Sequence, residues 1–430
     1  MNPGLIQLIG IMCLAAVAEL AFAERPADRE LDLVVLADLN GNSSAELATL
    51  VSEPQGEGGT GAFGTLPRIY IRDSVTGVRI SSIRLFDRDW RTLELVAVPL
   101  GDGGSLIGAL QQHSGGAIQI TLYDAATGAF ARNIAFLGTS QTAIAATFIR
   151  DAAGPGVPGL AVLAWIRPID GRGYSYSAGE EVIIEVRRPD TGAQLQKLYN
   201  LYYPAWDYGW DVRPLAIAQV DDQNGNGSSE LAVLARVRGY STEIAVVTRD
   251  AQSAEYLSPQ NVGNGEATMI YTNTRKPVGF VSLPDVSGDG QAELAVLGPG
   301  GSGHGLQLRE VTDGALVWSR RIFVDWTPRH VRALGDVDGN GAAEIAVAAL
   351  RPDGRITVDV RDGAAQTLTS RTNFLTAGGF DTHDLEVLPD QSGNGVEELA
   401  VIGRNPQTGD VRIQIRDAAT GELLRTIRRP

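Results

Sequence analysis

Cysteine and lysine are almost absent from this chain. Its 430 residues include one cysteine, Cys13, and two lysines, Lys197 and Lys276. Because Cys13 lies in a leader segment that we expect to be removed, the mature chain has no thiol for a disulfide or a thiolate metal site. Its stability must therefore come from hydrophobic burial or from metal ions held by oxygen ligands.

Positive charge is also in short supply. Lysine and arginine together number 36 against 51 aspartates and glutamates, which gives a formal net charge of -15. This is the wrong sign for a protein that neutralises a phosphate backbone, so we expect no nucleic-acid partner and expect cations instead. The 51 glycines and 20 prolines favour turns and exclude a coiled coil, and a hydrophobic content of 43% excludes a disordered chain.

Long hydrophobic runs are missing after the first residues. One such stretch runs from Leu5 to about Ala18 and is followed by the small-x-small sequence Ala21-Phe22-Ala23. This arrangement is typical of a signal peptide over residues 1–23, so we expect residues 24–430 to be exported to the periplasm, the cell surface or the medium. No later segment approaches ~18 apolar residues, so we expect no transmembrane segment and a soluble monomer.

What the chain has in abundance is one acidic pattern, which recurs five times with fixed internal spacing. It reads Asp-x-(Asn/Asp/Ser)-Gly-(Asn/Asp)-x-x-x-Glu-(Leu/Ile)-Ala, so positions 1, 3, 5 and 9 each offer a side-chain oxygen. These donors are Asp38, Asn40, Asn42 and Glu46; Asp222, Asn224, Asn226 and Glu230; Asp285, Ser287, Asp289 and Glu293; Asp336, Asp338, Asn340 and Glu344; and Asp390, Ser392, Asn394 and Glu398.

Two further copies of the motif, at Leu100 and Asp151, keep the frame but lose the closing acid. The chain thus has seven repeat units, each of which starts a few residues before its motif, near 31, 93, 144, 213, 278, 330 and 383. After each acidic segment a β-rich run leads into a second signature, typically Asp-Thr-Gly or Asp-Gly, which predicts a hairpin turn. Each unit thus supplies four strands. At about 58 residues per unit, this predicts an all-β, seven-bladed β-propeller of four-stranded antiparallel blades in a single domain.

Two other architectures fit the repeat less well. Solenoid units are usually shorter, and tandem sandwiches would need about 100 residues each. The first unit begins with an inner-strand sequence and the last ends with its fourth strand, so no strand is evidently shared across the ends. We therefore expect the ring to close by packing between the first and last blades.

The five acidic segments followed by Glu-(Leu/Ile)-Ala resemble FG-GAP, or VCBS, repeats, the blade unit of integrin α-subunit propellers and of many exported bacterial proteins. The resemblance covers essentially all of the mature chain. It implies Ca²⁺ in the loop that joins the first two strands of a blade, and interaction or adhesion more often than catalysis. This chain departs from the integrin form by closing the motif with Glu rather than Asp.

Calcium is a physically reasonable ligand because a tight, glycine-rich loop directs alternate oxygens towards a hard cation. Up to five sites are expected, and blades five and six, with three motif carboxylates each, should fill first. The alternative is that the segments are Asn-Gly turns whose acids accept backbone N–H groups. A turn of that kind needs no Glu at a fixed distance of eight residues, although the two degenerate copies fit it well.

A second candidate site consists of aromatic residues inserted in blade three. Their loops are expected on the face opposite the acidic loops, where exposed rings suit sugars or a protein partner. The alternative is that they pack between blades. These residues are Trp165, Tyr174, Tyr176, Tyr202, Tyr203, Trp206, Tyr208 and Trp210.

Catalysis has little support in the sequence. The four histidines lie in different units, and no nucleophile elbow, phosphate loop or His-x-x-x-His motif is present. We therefore expect an exported, calcium-binding propeller that binds a protein or a carbohydrate and is not an enzyme. The alternative is a carbohydrate-active propeller, a polysaccharide lyase or glycoside hydrolase, whose carboxylates come together from different blades.

Overall fold

A computed structural model describes residues 31–54, 65–85, 89–101, 103–166, 181–200, 211–238, 242–257, 268–272, 278–300, 303–376 and 379–428. Within these ranges the regular structure consists of β-strands that form seven four-stranded sheets. In every sheet the four strands are consecutive in the chain and adjacent strands are antiparallel. The predicted seven-bladed β-propeller is confirmed.

The strands of the seven blades are as follows. Blade one contains β1 (Leu31–Leu36), β2 (Glu46–Pro54), β3 (Thr65–Asp73) and β4 (Arg79–Arg84), and blade two β5 (Trp90–Pro99), β6 (Ser105–His113), β7 (Ile118–Asp124) and β8 (Phe130–Phe136). Blade three contains β9 (Gln141–Ile149), β10 (Gly159–Ile166), β11 (Glu181–Arg187) and β12 (Gln194–Asn200), and blade four β13 (Asp211–Val220), β14 (Glu230–Arg238), β15 (Thr242–Asp250) and β16 (Thr268–Thr272). Blade five contains β17 (Gly279–Leu283), β18 (Glu293–Gly300), β19 (Gly303–Glu310) and β20 (Leu316–Phe323), and blade six β21 (Thr327–Leu334), β22 (Glu344–Leu350), β23 (Ile356–Asp362) and β24 (Leu368–Phe374). Blade seven contains β25 (Asp381–Leu388), β26 (Glu398–Arg404), β27 (Val411–Asp417) and β28 (Leu423–Arg428).

The core lies between the blades. In blade six, the second strand β22 is apolar on both faces after Glu344. The third strand β23 is buried throughout but alternates apolar residues with Thr357, Asp359 and Arg361, and the outer strand β24 mixes exposed and buried residues. The buried side chains form seven hydrophobic clusters, and each cluster joins two neighbouring blades. One cluster at each of seven junctions means that the ring is closed.

The junction between blades one and seven closes without a shared strand, as expected from the phase of the repeat. Leu31 and Leu33 of blade one pack against Leu388 and Ile413 of blade seven. The backbone N–H of Leu33 also donates to Asp384 Oδ2 at 3.3 Å. Hydrophobic packing and side-chain hydrogen bonds thus close the ring.

Acidic side chains on the inner strands make the same kind of link at the next two junctions. The N–H of Leu95 donates to Asp32 Oδ2 at 2.6 Å, and the N–H of Ala146 donates to Glu94 Oε2 at 2.9 Å. Each of these carboxylates therefore holds the inner strand of the following blade. No helix in the part of the chain that the structure describes has the length and hydropathy needed to cross a membrane.

Candidate metal-binding loops

The five acidic segments form the loops between the first and second strands of blades one, four, five, six and seven. In each of them the closing glutamate is the first residue of the second strand. Because successive strands alternate in direction, these loops lie at the same end of the blade as the turn between the third and fourth strands. The loops and these turns are joined by hydrogen bonds, described below.

Within each loop the backbone wraps around the aspartate at position 1. In blade six, Asp336 Oδ1 accepts the N–H of Gly339 at 2.7 Å and Oδ2 accepts the N–H of Gly341 at 2.7 Å. Gly341 has φ +90°, a left-handed conformation that favours glycine. In blade five the N–H groups of Gly288 and Gly290 lower the pKa of Asp285, so the backbone stabilises the ionised carboxylate.

Blade three shows that this wrapping needs no closing acid. Its degenerate loop keeps Gly154 and Gly156 at positive φ, and Asp151 Oδ1 accepts the N–H of Gly156 at 2.6 Å. Position 9 of this copy is Gly159. Asx-type turn chemistry therefore accounts for the loop conformation in the acidic copies and in blade three, and the loop conformation alone does not indicate a metal.

The closing glutamates carry more information, since all five are 0% exposed. One carboxylate oxygen or both accept the N–H of loop position 2, as in the bond from Val337 N to Glu344 Oε2 at 2.7 Å. Among the described residues, Oε1 of Glu344 and Oε1 of Glu46 are buried without a hydrogen-bond partner. A buried charge with an unpartnered oxygen is costly in free energy unless a cation or a proton neutralises it.

The fold itself does not require this glutamate. In blade three a Cβ added to Gly159 would lie 2.6 Å from Ala152 Cβ and 2.9 Å from Val186 Cγ1, so apolar side chains fill the space. In blade two the corresponding residue, opposite Asp124 in the sheet register, is Leu106. The buried glutamates of the other five blades therefore indicate a role beyond packing.

The protonation equilibrium of these glutamates is strongly perturbed. The pKa of Glu344 is raised to about 7, mainly by burial and in addition by the nearby charges of Asp338, Asp336 and Asp362. Burial likewise raises the pKa of Glu46 to about 7 and that of Glu230 to about 8. In the absence of a cation, each of these carboxyl groups is therefore partly protonated at neutral pH.

Two of the five loops bring three carboxylates together. Oxygens of Asp285, Asp289 and Glu293 in blade five lie within 4.8 Å of one another, and Asp336, Asp338 and Glu344 in blade six form an equivalent group. In both groups the glutamate is buried and the aspartates are exposed. These two acidic clusters could hold a metal ion, and they belong to the two blades for which the sequence predicts the best sites.

The structure adds an acidic residue that the sequence analysis treated only as part of a hairpin turn. In the sheet register, the closing glutamate of each acidic blade lies directly opposite an acid at the end of the third strand. These opposing acids are Asp73, Asp250, Glu310, Asp362 and Asp417. The sequence alone does not single them out, because blade two, which lacks the closing glutamate, also has an acid at this turn position, Asp124, whereas blade three has Arg188 there.

In four blades an asparagine at position 5 bridges the loop to this acid. Asn226 Nδ2 donates to Asp250 Oδ2 at 2.7 Å and Asn394 Nδ2 to Asp417 Oδ2 at 2.6 Å. The pairs Asn42 with Asp73 and Asn340 with Asp362 make the same bond. The Oδ1 atoms of all four asparagines accept backbone N–H groups two residues further along. The structure therefore uses these predicted donors to connect the loop and the turn.

Position 3 is also engaged within the site. Asn40 and Asn224 donate to the turn acid, with Asn40 Nδ2 2.6 Å from Asp73 Oδ2. In blades five and seven, the backbone N–H groups of Ser287 and Ser392 each donate to Oε1 of the closing glutamate at 2.9 Å. In blade six, Asp338 Oδ1 accepts the N–H of Asn340 at 3.1 Å, and the side chain contributes a further exposed carboxylate to the loop.

Blade five departs from the bridged arrangement at both ends of the bridge. Asp289 stands where the other blades have asparagine, and Glu310 stands where they have aspartate. Burial raises the pKa of Glu310 to about 7, and the charges of Glu293, Asp289 and Asp313 add to the effect. Its Oε2 atom is buried without a hydrogen-bond partner among the described residues. Blade five therefore lacks the asparagine bridge, and its turn acid has one buried oxygen without a partner.

The predicted aromatic site is described only at Trp165. This residue lies in β10 with 5% of its surface exposed, and the Arg213 guanidinium carbon is 5.4 Å from its ring centroid. Trp165 is therefore buried rather than exposed, and its contact with Arg213 of blade four agrees with the alternative that these residues pack between blades. Seven of the predicted residues lie outside the described ranges: Tyr174, Tyr176, Tyr202, Tyr203, Trp206, Tyr208 and Trp210.

Comparison with known proteins supports the fold and leaves the function open. No family model matches the chain, and no curated protein matches it in sequence. The structure is similar to BBS1N, crystallised in complex with ARL6DN, with 13% identity and a TM-score of 0.52 over 91% of this chain and 93% of that chain. It is also similar to an apocarotenoid oxygenase of Synechocystis, with 10% identity and a TM-score of 0.51 over 90% and 85%.

A third similar structure is the β-propeller domain of the Trilobed protease from Pyrococcus furiosus, with 9% identity and a TM-score of 0.48 over 92% and 95% of the two chains. At identities this low the resemblance concerns the fold alone. Propellers of this kind occur both in a protein crystallised with a partner and in an oxygenase, so function has to be argued from the site.

Proposed function

We propose that the chain is an exported propeller of the FG-GAP or VCBS type that binds Ca²⁺ in its acidic loops and serves as a binding or adhesion module for a protein or a carbohydrate. One observation carries the metal assignment. Glu344 is fully buried beside Asp336 and Asp338, yet its Oε1 atom has no hydrogen-bond partner among the described residues. A cation in this loop would supply the missing partner.

The donor set favours calcium over softer metals. The groups of blades five and six consist of carboxylate oxygens, and the chain after residue 13 contains no cysteine. Ca²⁺ takes 6–8 oxygen ligands in flexible geometry, and loop carbonyls and water are available to complete the shell around three carboxylates. Exposed aspartates and a buried glutamate would hold such an ion at the surface of the propeller.

A binding role is favoured over catalysis because three carboxylates on the inner strands are engaged in hydrogen bonds between blades. Asp32, Glu94 and Asp384 on the inner strands accept backbone N–H groups of the next blade. The groups of three acids within the described residues lie in the loops of blades five and six. A carbohydrate-active enzyme, the second candidate, would need two carboxylates facing each other across a cleft at roughly 5–9.5 Å.

Calorimetry with CaCl2 on the metal-free chain of residues 24–430 tests the metal assignment. We expect uptake of calcium at millimolar concentration or below, with the loops of blades five and six filling first. A glycan array probed with calcium and again with EGTA then tests the carbohydrate partner. Absence of calcium uptake at several millimolar would reject the proposal and leave the loops as turns.

A further inference from the structure

The outer part of the junction between blades five and six carries an excess of arginines, although the whole chain has a net charge of -15. Arg361 of β23 and Arg371 of β24 share one carboxylate, that of Asp359, which is 0% exposed. Arg371 engages both of its oxygens, with Nε 2.6 Å from Oδ1 and Nη2 2.8 Å from Oδ2. Asp359 therefore neutralises one of these two arginines and not both.

Arg361 departs from the arginine that stands near the end of the third strand in other blades. In five blades this arginine donates to a carbonyl oxygen five residues further along and so holds the turn before the fourth strand. The pairs are Arg72 with Gly77, Arg187 with Gly192, Arg249 with Ala254, Arg309 with Gly314 and Arg416 with Gly421. In blade six the corresponding oxygen, that of Gln366, accepts a hydrogen bond from Nη1 of Arg320 in β20 of blade five, at 2.9 Å.

Arg361 is consequently buried with few partners. The residue is 8% exposed, and in the part of the chain that the structure describes its side chain makes one hydrogen bond, from Nη2 to Asp359 Oδ2 at 3.3 Å. Its Nε atom is buried and has no partner among the same residues. Burial lowers the pKa of Arg361, and the charges of Arg320 and Arg371 lower it further, although Asp359 opposes them. A second anion would supply the missing acceptor and relieve this repulsion.

Blade three shows the same strand position with its charges balanced. Glu185 accepts a hydrogen bond from Nε of Arg187, and Nη1 of Arg187 donates to the carbonyl oxygen of Gly192 at 2.9 Å. One carboxylate there serves one guanidinium, which also keeps its bond to the turn. The arginines of blade six are therefore more numerous than this pairing requires.

The opposite end of the blade-six group contains a partly exposed aromatic ring. Trp326 immediately precedes β21, and the guanidinium carbons of Arg371 and Arg351 lie 4.9 and 5.0 Å from its ring centroid. Arg351 Nε is buried without a partner in the described ranges, and the ion pair of Arg351 with Asp353 is long, at 3.6 Å. We call this group the arginine patch; it consists of Arg320, Arg351, Arg361, Arg371 and Trp326.

We propose that the arginine patch binds an acidic sugar, whose carboxylate pairs with Arg361 and Arg320 and whose ring packs beside Trp326. The inference rests on the carbohydrate partner of the proposed function and requires no calcium. A planar guanidinium matches a carboxylate in bidentate geometry, and an indole offers an apolar surface to a sugar ring. Because the net negative charge of the molecule repels a polyanion, we expect one acidic sugar in an otherwise neutral glycan.

Calorimetry in EGTA with a trisaccharide that carries one terminal glucuronate tests the arginine patch on the chain of residues 24–430. We expect binding that is lost when the carboxylate is converted to its methyl ester, since the ester keeps the shape and removes the charge. Arg361→Met should weaken binding on the order of 10- to 100-fold, as expected for one charge-assisted hydrogen bond. Arg320→Gln changes an exposed side chain and should also weaken binding.

Arg416→Met is the matched control, because Arg416 holds the same strand position in blade seven and donates to the carbonyl oxygen of Gly421 at 2.8 Å. It should leave the affinity unchanged and lower the melting temperature. Arg361→Met should melt at or above the temperature of the parent, because it removes an incompletely paired buried charge and leaves Arg371 bound to Asp359. Undiminished affinity in Arg361→Met or in Arg320→Gln would overturn the assignment.

Two competing probes test the class of ligand. Inorganic sulfate that binds as tightly as the trisaccharide would indicate a site for any small oxyanion, and a glutamate-rich peptide that binds more tightly would indicate a protein partner. Either result would overturn the assignment to a sugar. Glycan binding on the array that Arg361→Met leaves intact rejects the arginine patch alone, whereas absence of binding to the trisaccharide and to the array rejects the carbohydrate partner as well.

Discussion

At the scale of single residues, the buried glutamates distinguish this propeller from a ring of ordinary turns. A carboxylate loses hydration when it is buried, and the backbone N–H groups of the loops restore only part of it. Blades two and three place Leu106 and Gly159 at the same position and form their sheets normally. The glutamates are therefore a departure from what packing alone favours, as expected for functional groups.

Glu344→Gln separates the charge of this side chain from its volume. In EGTA we expect the variant to melt at or above the temperature of the parent, because a buried charge is removed while the shape is kept. In saturating calcium it should lose the stabilisation due to the blade-six site, about 2–3 kcal/mol at a calcium concentration near one hundred times Kd. Thermal denaturation in both buffers measures the change.

The matched control is Glu422→Gln, which removes the same charge at an exposed turn position of blade seven. Its stability in EGTA and in calcium should follow the parent, since charges at the surface are screened. Equal behaviour of the two variants in calcium would show that Glu344 holds no ion.

Glu310 provides a second test at this scale. Glu310→Gln would place an amide at the turn position, near the loop residue Asp289. This reverses the pairing of the other four acidic blades, in which a loop asparagine donates to a carboxylate at the turn. We expect greater stability in EGTA and a calcium affinity in blade five that is weaker on the order of tenfold, because affinity follows the number of ligand charges. Asp313→Asn changes the exposed charge of the same turn and should have a smaller effect on the affinity measured by calorimetry.

At this scale the sequence predicts much of the candidate site, because the eight-residue spacing from Asp to Glu is visible in the chain. The turn acids could not be recognised as part of it, since Asp73 and Asp250 become neighbours of the glutamates only through the sheet register. The bridging role of Asn226 and Asn394 could not be predicted from the sequence either. An amide is equally suited to a turn, to a metal and to a carboxylate, and only the fold decides among them.

At the scale of the structural element, each blade combines one sheet with a loop between its first two strands, and the backbone conformation of this loop does not depend on all of its acids. The degenerate loop of blade three retains the wrapped aspartate Asp151 and the positive φ angles of Gly154 and Gly156. The blade-three copy has Ala153, Pro155 and Gly159 where the acidic copies have side-chain oxygens, and it still keeps this loop conformation. The turn signals are therefore readable in the sequence, whereas the filling of the space at position 9 depends on packing.

Two glycine substitutions test this separation of loop and site. Gly341→Ala in blade six meets no atom within 4 Å but imposes a Cβ on a φ of +90°, so it should cost about 1–2 kcal/mol and weaken calcium uptake. Gly159→Ala in blade three places its Cβ 2.6 Å from Ala152 Cβ and should destabilise by about 1–3 kcal/mol through overpacking.

The two variants should differ in calcium binding more than in stability. Calorimetry should show the full calcium stoichiometry for Gly159→Ala and a weakened site for Gly341→Ala. A loss of stoichiometry in Gly159→Ala would indicate that blade three binds calcium by residues outside the motif.

At the scale of the whole molecule, the propeller was predictable because a repeat specifies one blade many times. Any one blade is ambiguous, but seven units in phase with four strands each leave few architectures. The links between blades were not predictable in the same way. Asp32, Glu94 and Asp384 bond to backbone groups of other blades, and nothing in their local sequence indicates a partner that lies 63, 52 or 351 positions away.

The pH dependence of stability joins the residue and molecular scales. The pKa values of Glu46 and Glu344, about 7, and of Glu230, about 8, exceed the ordinary value of 4.5. The calcium-free folded state therefore binds more protons than the unfolded state between about pH 4.5 and 8, so its stability is greatest below this window and falls as pH rises through it. The lowered pKa of Asp285 has the opposite effect on stability, because its contribution is present above the ordinary value of 3.8 and is lost as pH falls below it.

Calcium should cancel much of this slope, because it binds the ionised glutamates and takes the place of the proton. We therefore expect the melting temperature to fall between about pH 5 and 8 in calcium-depleted buffer, and to stay nearly level in saturating calcium. Glu344→Gln should flatten the calcium-free curve, since one titrating group is gone, whereas Glu422→Gln should leave it steep. Parallel pH profiles with and without calcium would mean that the ion, wherever it binds, does not contact the buried glutamates.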